Sequence, residues 1–78
     1  MSNGQPDITY QAAYSAEDQE VTLIQDRRAG VCGPLDDFPA HSLQAAERSL
    51  FDAGYLLASP WGERTSNGDR WCRLTPMA

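Results

Sequence analysis

Few side chains in this sequence could do covalent or metal chemistry, and their spacing limits what they can do. His41 is the only histidine and stands beside Ser42. A serine nucleophile needs its base within reach and held by a third group, whereas adjacent residues of a helix point in different directions. Asp36 and Asp37 form a pair of neighbouring carboxylates. Two acids just ahead of a helix suit its N-terminal dipole better than general acid–base work. Cys32, Cys72 and His41 are too few for a structural zinc site, which takes four ligands, and none has CxxC or HxxxH spacing. The run GVCGP, residues 30–34, has neither phosphate-loop nor nucleophile-elbow spacing. The residues point away from an enzyme, a cofactor and a metal centre. A Cys32–Cys72 disulfide would clamp a loop to the last strand, but a cytosolic setting favours two free thiols.

What remains is a surface that could bind. ERTSNGDRWCRL, residues 63–74, sets Asn67-Gly68 between two arginine-bearing arms, with Trp71 between Arg70 and Arg73. Asn-Gly is the strongest short hairpin signal, because a type I′ turn takes positive φ at both positions. With these two as the loop, Arg64 faces Trp71, Glu63 faces Cys72 and Trp61 faces Leu74. Alternation then gives one face to Trp61, Cys72 and Leu74, joined towards the tip by Glu63 and Arg70. The other carries Arg64, Trp71 and Arg73, which does not read as core. An aromatic among guanidinium groups can stack on a nucleobase or anchor a protein interface. The same pattern also arises as cation–π packing within a hairpin. The candidate partner-binding residues are Arg64, Arg70, Trp71 and Arg73.

Composition narrows the partner. The formal net charge is −5 over 78 residues, and the pI is near 4.5. That opposes binding in which the whole surface tracks a phosphate backbone. The acidity sits in residues 1–40, where seven acids face two arginines; residues 41–78 carry four acids and four arginines. Every basic residue is arginine. No apolar run has membrane-span length, and the first residues, MSNGQ, lack the basic and apolar regions of a signal peptide. The expectation is a cytoplasmic protein with no membrane partner.

The elements that must position this surface are read from period and punctuation. Residues 1–7 are polar and broken by Gly4 and Pro6, a loose leader to a single domain over residues 8–76. ITYQAAY alternates, with Ile8, Tyr10, Ala12 and Tyr14 on one side and Thr9, Gln11 and Ala13 on the other. EVTLIQD carries β-branched Val21, Thr22 and Ile24, so residues 8–26 read as a hairpin. A competing reading starts a helix over 16–29 from the capping-box spacing of Ser15 and Asp18; the β-branched cluster favours strand. GVCGPLDDFP reads as turn, with Asp36 or Asp37 capping the helix that follows. Over residues 40–53, Leu43, Ala46, Leu50 and Phe51 share a face, Glu47 falls in or beside that stripe, and Gly54 closes the helix in the left-handed conformation. YLLAS follows as a strand that Pro60 interrupts or bends.

The segment 42–76 resembles the recognition-helix-to-wing portion of winged-helix transcription regulators. Leu50, Ala53, Gly54, Tyr55 and Leu56, then Leu74, Thr75 and Pro76, carry the likeness. It implies DNA contacts from Gln44 and Arg48 on the helix and from Arg64 and Arg70 in the wing. The family also needs two helices ahead of the recognition helix, where this sequence reads as strands.

The sequence thus predicts a small α+β domain: a hairpin, one central helix on one face of an antiparallel sheet, and a second hairpin. The alternative is a degenerate winged helix. The expected function is a non-enzymatic module that binds a protein partner in an accessory or regulatory role, with a homodimer also compatible. The alternative is a DNA-binding regulator using helix 40–53 and hairpin 61–74.

Overall fold

The computed structural model describes residues 8–27 and 32–77, with only the backbone of Arg27 and Cys32. The expected leader at 1–7 lies outside the described residues. Five strands and one helix follow in the order β1 (Ile8–Ser15), β2 (Glu20–Arg27), β3 (Cys32–Pro39), α1 (Leu43–Asp52), β4 (Tyr55–Leu57) and β5 (Asp69–Pro76). They form one antiparallel sheet, ordered β3-β2-β1-β5-β4, with the helix on one face. The α+β architecture expected from the sequence is the one observed. Where a winged helix would place two earlier helices, the described residues form β1, β2 and β3.

Local signals explain most of the elements. Ser15 Oγ accepts a hydrogen bond from the Asp18 N–H at 3.1 Å. The contact behind the helix alternative is therefore made, but it closes a turn. Gln19 takes φ 52°, which ends any helical course, and β2 begins at Glu20. The β1–β2 ladder runs in unbroken register from Ile8↔Arg27 to Ser15↔Glu20.

Two expectations fail ahead of the helix. Cys32–Pro39 is a strand, not a turn, and pairs along β2 from Glu20↔Pro39 to Asp26↔Cys32. Proline is tolerated there because β3 is an edge strand, one side of which needs no donors. A bulge opposite Leu23/Ile24 takes up the extra residue Leu35. The helix is capped by Ser42, not by Asp36 or Asp37: its Oγ accepts from the Ala45 N–H at 3.1 Å. Asp36 instead accepts from the Asp37 N–H at 2.9 Å. Gly54 closes the helix at φ 102°, as expected.

The core lies between α1 and one sheet face. The sheet supplies Ala12, Tyr14, Val21, Leu23, Cys72 and Leu74, and the helix supplies Ala46 and Leu50. These sheet positions alternate along each strand, so the intervening residues point to the other face, on which the described residues place no helix. Phe51 departs from the expected apolar stripe and is 52% exposed, because it lies about 100° round the helix from Leu50. Tyr10 and Tyr55 extend the core with ring centroids 5.2 Å apart.

The two helix positions give a paired prediction. Leu50 is fully buried, so Leu50→Ala should cost about 2–5 kcal/mol. Phe51→Ala should stay within about 0.5 kcal/mol of the parent. Urea unfolding followed by far-UV circular dichroism measures both, and a large loss at Phe51 would contradict this packing.

Candidate interaction surface

The segment 58–68, which departs from the simple hairpin, positions Trp61, while Trp71 stands on β5. β4 pairs with β5 through Tyr55↔Pro76, Leu56↔Thr75 and Leu57↔Leu74. Leu57, not Trp61, is therefore opposite Leu74. The Ala58 N–H bonds the Arg73 carbonyl at 2.7 Å and the Gly62 N–H bonds the Trp71 carbonyl at 2.8 Å. Four residues on one arm thus span two on the other, so Glu63 is not opposite Cys72 and Arg64 is not opposite Trp71. Pro60 lies in the excursion, where its missing N–H is harmless. The Ser59 hydroxyl accepts from the Arg73 N–H at 2.9 Å and fills the gap in the ladder.

The loop also differs in type. The Thr65 N–H bonds the Asp69 carbonyl at 2.8 Å, and the Gly68 N–H bonds the Thr65 carbonyl at 2.9 Å. Gly68 has φ 88°, and Asn67 is not among the described residues with positive φ. This is a three-residue loop, Ser66-Asn67-Gly68, closed by a left-handed glycine. It needs one positive φ where a type I′ turn needs two.

Trp61 and Glu47 join this segment to the helix. Trp61 Nε1 donates to a Glu47 carboxylate oxygen at 2.9 Å, and its ring meets Tyr14 edge-on at 6.3 Å. Glu47, out of place in an apolar stripe, is the polar partner of a half-buried indole. Beneath it, Cys72 is a buried free thiol. Its strand and that of Cys32 are separated by two others. Burial pushes the Cys72 thiol up from 9.0 to about 11, reinforced by the Glu47 carboxylate and opposed by a backbone hydrogen bond with Ala12.

The helix-free face follows from the register, because directly opposed residues share a face. One cross-strand row reads Asp37, Thr22, Ala13, Trp71; the next reads Pro34, Ile24, Gln11, Arg73. Trp71 is 38% exposed. With Ala13, Thr22, Ile24 and Pro34 it borders a shallow groove of about 340 Å³. Ile24 is 9% exposed although it stands apart from the helix-side core. Beside this groove, Thr9, Gln11, Ala58 and Arg73 border a second depression of about 450 Å³.

The structure brings together only two of the four predicted partner-binding residues. Trp71 and Arg73 share the open face, as alternation predicts. Arg70 lies opposite core-facing Tyr14, and its Nη1 donates to the Gly62 carbonyl at 3.1 Å. Arg64 is exposed in the irregular arm. Of the positions suggested by the winged-helix resemblance, Gln44 and Arg48 are exposed on α1, across the sheet from Trp71. Arg48 Nε stands 3.7 Å from Asp52 Oδ1. Sequence reasoning missed Thr22, Ile24 and Pro34; the strand period places the first two, but Pro34 requires β3. No family model, curated protein or solved structure matches the chain.

The thiol provides a pH test of this packing. The folded state keeps Cys72 protonated where the unfolded chain ionises it, so stability is fully present below pH 9 and falls as pH rises towards 11. Denaturation midpoints measured across that window should decline, and Cys72→Ala should flatten the decline. An equal slope in the variant would assign the effect to other groups.

Proposed function

We propose that this chain is a small non-enzymatic interaction module of the cytosol that binds a protein partner through the helix-free face of its sheet, in an accessory or regulatory role. The observation that carries the reading is Trp71, 38% exposed opposite Ala13 with Arg73 on the same face. Tryptophan and arginine are the residue types that most often dominate binding energy at protein interfaces. The groove beside Trp71 gives a partner's apolar side chain a place to enter.

The sheet edges support the face as the route of approach. An exposed edge invites strand addition, and proteins blunt edges with proline, charge, bulges or brevity. β3 has Pro34, Pro39, Asp36, Asp37 and a bulge, and β4 has three residues. On the DNA alternative, Arg48 would approach a phosphate beside the Asp52 carboxylate, and Arg70 would do so with one donor already given to the Gly62 carbonyl.

A photo-crosslinker separates the two readings. A benzophenone side chain placed at Thr22 in living cells should yield a discrete protein adduct that disappears with Trp71→Ala. The same group at Gln44, on the helix, should yield none. Adducts from Gln44 alone would overturn the proposal. So would salt-sensitive binding of duplex DNA that is lost in the Arg48→Ala/Arg64→Ala variant.

A further inference from the structure

The open face has a charge pattern as well as an apolar centre, and the pattern selects the partner. Alternation and register place Glu20, Asp26, Asp37 and Asp69 on this face. Glu20 and Asp69 flank Ser15 in the row at one end of the groove, and Asp37 lies at the β3 edge. Asp26 stands towards the other end, where Gln11 Nε2 donates to its carboxylate at 3.3 Å. Among the described residues of the face, Arg73 is the one cation against these four acids. All four side chains are exposed or half-buried, so they lie in reach of a ligand.

Resting on the reading that this face binds a protein, we infer that its partner is an amphipathic helix with an apolar stripe flanked by lysine or arginine. A sheet buries its faces against helices in two- and three-layer domains, and α1 fills only one side here. A second helix laid on Trp71, Ala13, Thr22, Ile24 and Pro34 would complete the third layer. Its basic flanks would meet the acidic rim, which speeds encounter and rejects wrong partners. The same rim opposes a second copy of this chain, since two such faces would set acids against acids. It likewise opposes a nucleic acid.

The test titrates the isotope-labelled full chain with three peptides of about five helical turns, or ~18 residues. They share one leucine stripe and carry lysine, glutamate or glutamine flanks. The lysine peptide should shift the amides of Ala13, Thr22 and Trp71. Its binding should weaken about tenfold in the Glu20→Gln/Asp37→Asn/Asp69→Asn variant, and should fall between roughly 50 and 200 mM salt. Those substitutions lie outside the core, and an unchanged spectrum elsewhere confirms the fold. Equal binding of the glutamate or glutamine peptide at these amides would overturn the charge selection while leaving the docking face intact. Shifts at these amides on concentrating the protein alone, or on adding duplex DNA, would overturn the inference in favour of those ligands. No shift with any peptide would also overturn it, and the crosslink from Thr22 then reports separately on whether a partner of other chemistry uses the face.

Discussion

The ladder from Tyr10↔Leu74 to Ser15↔Asp69 joins the first strand of the described chain to the last, and the other layers depend on it. β1 is thereby paired on both sides, which satisfies its backbone and lets Ala12 and Tyr14 be buried. Cys72 and Leu74 enter the core only through this pairing, opposite Ala12 and Tyr10. The helix then finds a continuous apolar floor from β2 across to β4. Without β5, the floor would lose Cys72 and Leu74, two of the six buried sheet residues. Closure between distant strands carries a loop entropy that local hairpins avoid, so the domain trades folding speed for a connected sheet.

The same pairing creates the candidate site. Once Cys72 and Leu74 face the helix, Trp71 and Arg73 must face away, because strand period allows nothing else. Trp71 comes to lie across from Ala13, and the small neighbour leaves its ring accessible. The irregular arm from Ala58 to Thr65 serves the opposite face. Its tryptophan is held by Glu47 and Tyr14. Two indoles on one hairpin thus have different surroundings, Trp71 through strand period and Trp61 through an excursion of three residues.

Period was readable wherever strands or helix bury one face. ITYQAAY, the Leu43–Leu50 helix and RWCRL announce their inner side, and the structure follows them; EVTLI reads as a strand, but its apolar residues fall on both faces. β3 was not readable, because CGPLDDFP has turn composition and becomes a strand only by pairing with β2. The apolar centre of the open face shares that problem, since Pro34 joins it through β3. The hairpin register failed for a different reason. Asn67-Gly68 fits two loop geometries, and composition alone does not reveal that Ser59, Pro60 and Trp61 leave the ladder. The capping-box spacing at Ser15 is the converse case, a true local bond that tertiary pairing turned to another use.

The division of the tryptophans has a practical consequence for spectroscopy. The sequence holds two, Trp61 and Trp71, and the sheet stands between their environments. One indole is hydrogen-bonded to a carboxylate on the helix side; the other is wetted on the open side. Intrinsic emission is therefore the sum of a blue-shifted and a red-shifted component, each with its own quencher access. Collisional quenching by acrylamide would strip the Trp71 component first and leave a signal that reports on the fold alone. The native chain carries two built-in probes, one for unfolding and one for occupancy of the open face.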